Sequence, residues 1–238
     1  MELKNKKAII LGGTSGIGLA AAALLLGEDA EVTVFGRSEQ NLENAKAALG
    51  PKLQALQLDV LDRKKMEVEL KKLSPIDILI NAATGGERAT GPFLSMDLDG
   101  FQGSFRKLWG YVNSVRLGAP LMSSTGSIVL VSGSPARKCP PGFSAISSVG
   151  NAVEGFCRAV APEIAPIRIN VVSPGFIDTP MFAVKGAARE DFFKNSTASN
   201  IIKRPGQPKE VAEAILFAVK NDFVTGTIID VDGGALLP

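Results

Sequence analysis

The sequence predicts a doubly wound α/β sandwich, a parallel sheet covered by helices on both faces. Three observations lead there. Short runs apolar at successive positions alternate with stretches of helical spacing from end to end, the pattern of strands buried on both faces. A glycine-rich turn joins the first run to a long Ala/Leu helix. The chain has 238 residues, 45% hydrophobic and 21% charged, which suits one domain with an ordinary core and excludes disorder.

Ala8–Leu11 reads as the first strand, followed by a helix over Ile17–Leu26. Glu31–Phe35 is the second strand and Glu39–Leu49 the next helix. Leu53–Leu58 and Ile76–Ile80 read as the third and fourth strands, and a helix carrying Phe101–Leu117 follows. Ser127–Val131 is the fifth strand, Val149–Ala161 a helix, Arg168–Val172 the sixth strand and Thr227–Val231 the seventh. Right-handed crossovers between parallel strands then give a Rossmann-like layer sandwich. No linker, charge block or repeat divides the chain, so one domain is expected over 1–238. Pro180 to Pro208 is the longest irregular stretch, and loops of that size serve as lids or binding loops.

Composition removes several classes of function. Lys and Arg number 26 against 24 Asp and Glu, a balance far from a nucleic-acid footprint. The longest apolar stretch, Ile17 to Gly27, has about 11 residues, short of the roughly 20 a membrane span requires. Met1-Glu2-Leu3-Lys4 lacks the apolar core of a signal peptide, and two cysteines suit a reducing cytosol, so a cytoplasmic location is expected. Histidine is absent, which removes chemistry that relies on it, and no metal is expected. Tyrosine occurs once, as Tyr111.

The chemistry begins at the first strand's end. Gly12-Gly13-Thr14-Ser15-Gly16-Ile17-Gly18 lets the chain turn tightly and brings bare backbone N–H groups to a phosphate at the positive end of a helix. The spacing Gly12-x-x-x-Gly16-x-Gly18 resembles that of the short-chain dehydrogenases/reductases. The resemblance runs through the chain in order: Asp59-Val60, Asn81-Ala82-Ala83, Arg168-x-Asn170, Pro174-Gly175-x-x-Asp178-Thr179, Arg204-x-Gly206 and Thr225-Gly226…Asp232-Gly233-Gly234. It implies a nicotinamide dinucleotide contacted by Gly12, Thr14, Ser15, Gly16, Ile17, Gly18, Asp59, Val60, Asn81, Ala82, Ala83, Pro174, Gly175, Ile177 and Thr179. It also implies that Asp178 orders the loop over the nicotinamide.

The second strand ends Val34-Phe35-Gly36-Arg37-Ser38, with no acid to accept from ribose hydroxyls. Arg37 can fork onto phosphate oxygens and Ser38 can add a hydroxyl donor, so NADP(H) is favoured over NAD(H). The competing reading of Arg37 is a solvated loop arginine.

The family works through Asn, Ser, Tyr and Lys, and here the pattern breaks. Val153-Glu154-Gly155 with Arg158-Ala159 and Ala161-Pro162-Glu163 resembles the stretch after the family's Tyr-x-x-x-Lys. That register puts Ile146 at the tyrosine position and Gly150 at the lysine position, and neither handles a proton. The family's serine falls near Gly133, with Ser132 and Ser134 on either side as substrate donors or plain turn residues. Its asparagine falls on Lys107, either a cation pointing into the site from mid-helix or a surface lysine; Asn113 reads as helix surface. Tyr111, one turn beyond Lys107, reads as interface packing rather than a displaced acid. Arg137 and Lys138 either border the substrate mouth or lie in solvent, and Cys139 beside them is a minor candidate for a reactive thiolate.

Three chemistries stay open. The protein moves hydride to a small organic substrate, with Lys107, a serine hydroxyl or water supplying the proton. It keeps the nucleotide site but performs a non-redox cyclisation, isomerisation or elimination. Or it binds nucleotide as a regulator. A homodimer or homotetramer is expected through the helices carrying Phe101–Leu117 and Val149–Ala161, with Trp109, Tyr111 and Phe156 in excess of one buried face.

Overall fold

A computed structural model describes residues 1–84, 86 and 88–238. Seven strands form one sheet: β1 (Lys7–Leu11), β2 (Glu31–Gly36), β3 (Gln54–Gln57), β4 (Ile76–Asn81), β5 (Met122–Val131), β6 (Arg168–Pro174) and β7 (Ile228–Val231). All pairs are parallel and the order is β3-β2-β1-β4-β5-β6-β7. Every expected strand is present, with ends shifted by a few residues at most, apart from β5, which starts at Met122.

Successive strand residues face opposite layers, so Ile10 packs under one set of helices and Ile9 under the other. The first layer holds α1 (Gly16–Gly27), α2 (Glu39–Leu49) and α9 (Pro208–Lys220), burying Ala22, Leu42 and Ile215. The second holds α3 (Arg63–Leu73), α5 (Arg106–Gly118) and α7 (Ser144–Val160), burying Leu70, Val115 and Val153. Local signals set the helix starts. Ser38 accepts from Asn41 N at 3.3 Å, Asp62 from Lys65 N at 3.0 Å, and Gln207 with Glu210 closes a capping box before Pro208.

Two expectations change. The helix through Phe101–Leu117 is two helices, α4 (Leu98–Ser104) and α5, separated at Phe105. Ser104 turns its hydroxyl back to the Gly100 carbonyl at 2.9 Å and accepts from Ala89 N at 3.0 Å, a local bond that competes with the helical ladder. The 180–208 stretch is not irregular throughout, because it contains α8 (Ala187–Ser196). A further short helix, α6 (Pro135–Lys138), follows β5.

The order of the strands reverses between β1 and β4, where connections leave to opposite sides and a crevice opens beyond the strand ends. Leu11 pairs with Asn81 and Asn81 with Leu130, which aligns the loops of β1, β4 and β5 around that crevice. Among the described residues, no helix is long and apolar enough to cross a membrane.

Candidate active site

A cleft of about 1660 Å³ lies beyond the carboxyl ends of the strands. Its floor is backbone. Gly12 has φ +77°, and a Cβ there would lie 2.6 Å from Ala83 N. A Cβ on Gly18 would lie 2.2 Å from the Gly12 carbonyl oxygen. Glycine is therefore required for α1 to start against the β1 turn and for that turn to touch the β4 end. Ser15 caps α1 without a side-chain hydrogen bond, so the first-turn N–H groups are left to a ligand.

Thr14, Ser15, Gly16 and Ile17 line the cleft with the two glycines, as do Val60, Ala82 and Ala83. Pro174, Gly175, Ile177 and Thr179 line the opposite wall. Arg37 and Ser38 sit at one end, both exposed, and Arg37 has no ion-pair partner among the described residues. A backbone cradle at the start of a helix fits the pyrophosphate of a nicotinamide dinucleotide.

Two residues expected at the cofactor have hydrogen-bond partners within the chain. The Asn81 side chain is buried beneath the cleft, donating to Gly110 O at 3.3 Å and Ser114 Oγ at 2.9 Å while accepting from Ala83 N at 3.1 Å. It shapes the Ala82-Ala83 turn and does not line the cleft. Asp59 is half-buried, and one of its carboxylate oxygens accepts from Leu61 N at 2.9 Å and holds the turn into α3. Arg168 and Asn170 lie at the other end of β6, tying it to the last turn of α9 through Ala218 O at 2.8 Å and to the segment after α9 through Val224 O at 2.9 Å.

The centre of the cleft is lined by Lys107, Ser132, Ser134, Ile146 and Gly150. Lys107 is the second residue of α5, not mid-helix, and donates to the Ser132 carbonyl at 3.3 Å. Burial and the Arg88 guanidinium lower its ammonium to about 7. Ser132 donates its hydroxyl to Gly150 O at 3.3 Å, and Ser134 precedes α6, its N–H donating to Pro174 O at 2.8 Å. Gly150 allows α6 to press onto α7, since a Cβ there would lie 2.8 Å from the Ala136 Cβ.

Several neighbours differ from expectation. Tyr111 is fully buried within its own subunit, donating to Val131 O at 2.8 Å beneath the Lys107 ammonium, whose Nζ is 5.6 Å from the ring centroid. Burial pushes its phenol well above the ordinary range, so it is neither interface packing nor a displaced acid. Asn113 is not helix surface: it is buried and donates to Val60 O at 3.0 Å. Arg137 turns away from the cleft to ion-pair with Asp230, and with Glu154 at 3.3 Å. Lys138 reaches Ser199 Oγ at 3.5 Å, and exposed Cys139 ends α6; neither lines the cleft.

Sequence reading missed Arg88 and an aromatic wall. Arg88 lines the cleft and donates to the Met181 sulfur at 2.8 Å. Phe143, Phe176, Phe182 and Phe192 line the same end. Phe176 stacks with Phe182 at 6.0 Å between centroids, and Phe182 meets Phe192 at 5.3 Å. Asp178 pairs with Arg189 of α8, which also donates to Thr179 O at 3.0 Å and packs over Phe193, tying α8 to the segment after β6.

The family model for enoyl-(acyl carrier protein) reductase matches residues 12–235. An oxidoreductase of Sarocladium schorii, asL5, is 34% identical over 244 residues, covering 98% of this chain and 96% of the relative. The structure of the MalC reductase/Diels-Alderase from Malbranchea aurantiaca superposes with a TM-score of 0.89 at 28% identity, over 99% of this chain and 97% of that one. A Pseudomonas aeruginosa short-chain oxidoreductase described as containing an atypical catalytic center gives 0.89 at 28% identity, over 99% and 98%.

Proposed function

This chain belongs to the short-chain dehydrogenase/reductase family of oxidoreductases, and from that premise we propose an NADP(H)-dependent enzyme that acts on a small organic substrate without a catalytic tyrosine. The observation that carries the proposal is Lys107. Its ammonium enters the centre of the cleft beside Ser132 and Ser134, where Ile146 and Gly150 offer no proton.

NADP(H), when bound, supplies or accepts a hydride. The glycine turn and the start of α1 would hold its pyrophosphate, Arg37 and Ser38 its 2′-phosphate, and Pro174, Gly175, Ile177 and Thr179 its nicotinamide half. Reduction of a carbonyl or enone builds negative charge on the substrate oxygen. Lys107 stabilises that charge and gives up a proton, and a group titrating near neutrality recovers it readily. Ser134 orients the substrate oxygen, while the Ser132 proton stays on the Gly150 carbonyl. The cationic surroundings suit a carbonyl or enone better than a preformed iminium ion.

A second reading is non-redox catalysis on the same scaffold. It is supported by the loss of both proton-handling groups at 146 and 150, and by likeness to a protein described as both a reductase and a Diels-Alderase. Anaerobic turnover with NADPH against ketones, imines and enones separates the two. NADPH consumption that falls sharply in Lys107→Met, with NADPH affinity retained, supports the redox reading. No consumption across the panel, with NADPH bound, favours the non-redox enzyme.

A further inference from the structure

The far end of the cleft combines two features the cofactor does not require: a second cation and a wall of phenylalanine. We propose that Arg88 receives the carboxylate of the substrate, and that the substrate is an acid with a bulky apolar or aromatic body. The inference rests on the proposed function for the position of the reacting centre at Lys107.

Arg88 lies within the cleft and within electrostatic reach of Lys107, yet among the described residues the acceptor its side chain meets is the Met181 thioether. A thioether is a weak acceptor for a guanidinium whose five donors match a carboxylate fork. Placing two cations together raises the free energy of the empty site, and an anion between or beside them relieves it. Three cations, Arg37, Arg88 and Lys107, line the cleft, and no acidic side chain lines it among the described residues. Arg37 stands at the β2 end with the 2′-phosphate position, and Arg88, with no acidic partner among the described residues, is placed for a different anion.

The remaining wall decides the rest of the ligand. Phe176, Phe182 and Phe192 form a contiguous cluster, with centroids 5.3 to 6.3 Å apart, and each ring remains partly open. Edge-to-face and offset contacts of this kind hold an aromatic or branched apolar body. Met181 joins the cationic and apolar parts, since it touches Arg88 and lines the same wall. Acid and apolar body therefore belong to one molecule.

Equilibrium binding tests this without turnover. Titrate the NADP⁺-saturated protein by calorimetry with 4-oxo-4-phenylbutanoate and with its neutral primary amide. The acid should bind about tenfold or more tightly than the amide, the scale of a charge-assisted pair. Arg88→Gln should erase the difference, and Arg88→Lys should restore part of it. Equal binding of acid and amide, binding of neither, or an acid preference that survives Arg88→Gln overturns the assignment. Acid selectivity in a protein that never consumes NADPH sinks the oxidoreductase reading and leaves this one standing. NADPH consumption with amides as fast as with acids does the reverse.

Discussion

The Ser132 hydroxyl donates to the Gly150 carbonyl at 3.3 Å, so the serine at the end of β5 is fastened to the residue at the family's lysine position. The same glycine seats α6, because a Cβ at 150 would lie 2.8 Å from the Ala136 Cβ and 3.1 Å from its Cα. A glycine at 150 is thus built into the packing. Gly150→Ala should destabilise by about 1–3 kcal/mol, the cost of overpacking, and lower the melting temperature by about 2–4 °C per kcal/mol. Ile146→Tyr, on the half-buried cleft wall, should be tolerated far better. An unchanged melting temperature for Gly150→Ala would show that α6 yields freely and that a lysine can be restored.

Lys107 predicts two opposed pH dependences. As the proton donor it must be charged, so turnover should decline as pH rises through about 7. Stability should move the other way. The folded ammonium titrates near 7 and the unfolded one near 10.5, so between those values the unfolded chain binds more protons and stability rises with pH. Lys107→Met should remove both dependences, lowering the rate while flattening the melting temperature across that window. A melting profile identical to the parent protein's would refute the buried ammonium.

The sheet and the phosphate cradle were legible because they rest on local signals. Apolar runs such as Ala8–Leu11 and Ile76–Ile80 fix strands buried on both faces, and Gly12 and Gly18 fix a turn that only glycine can make. Lys107 was legible through its register in the family pattern. Arg88 was not, because it lies in a loop without periodicity and reaches the cleft only through tertiary folding. Phe192 was hidden on α8, whose sequence Ala-Ala-Arg-Glu-Asp opens without an apolar stripe. Tyr111 and Asn113 were misjudged because α5 is covered on more than one side, by β5 and by Val60. Asn81 and Asp59 sit at the expected strand ends, where a backbone N–H engages the Asn81 amide oxygen and one of the two Asp59 carboxylate oxygens.

The lid should respond to its own ion pair. Arg189 ties Asp178, Thr179 and Phe182 together, with donors to Asp178 Oδ1 at 3.1 Å and Phe182 O at 2.6 Å. Arg189→Ala should free the segment that carries Phe182 and Phe192. Substrate KM should rise several-fold with smaller change in kcat, and protease nicking between 180 and 196 should accelerate. Unaltered KM and nicking would mean that the aromatic cluster alone holds the lid.

Assembly should depend on α4 and α5. Trp109 is 59% exposed and Leu98 74%, so both helices leave a large apolar side chain uncovered. A homodimer or homotetramer covering them is expected in light scattering at micromolar concentration. Trp109→Glu should shift that equilibrium towards monomer without changing the fold. A monomeric parent protein refutes the assignment.

Cofactor choice should be decided at Arg37. It stands where an NAD-selective fold places a carboxylate, it lines the cleft with Ser38, and no ion pair occupies it among the described residues. Ser38 caps α2 by accepting from Asn41 N, which leaves its O–H able to donate to a 2′-phosphate while the guanidinium brings the opposite charge. NADPH should therefore bind more tightly than NADH in fluorescence titrations, and the difference should shrink as salt screens the exposed arginine. Arg37→Ala should weaken NADPH by about 1.5–3 kcal/mol, the scale of hydrogen bonds to a charged group, and leave NADH nearly unaffected. Arg37→Asp should reverse the preference, because a carboxylate repels the 2′-phosphate and accepts from the free ribose hydroxyl. Equal affinities for the two cofactors in the parent protein, or equal losses in Arg37→Ala, would remove Arg37 from the site.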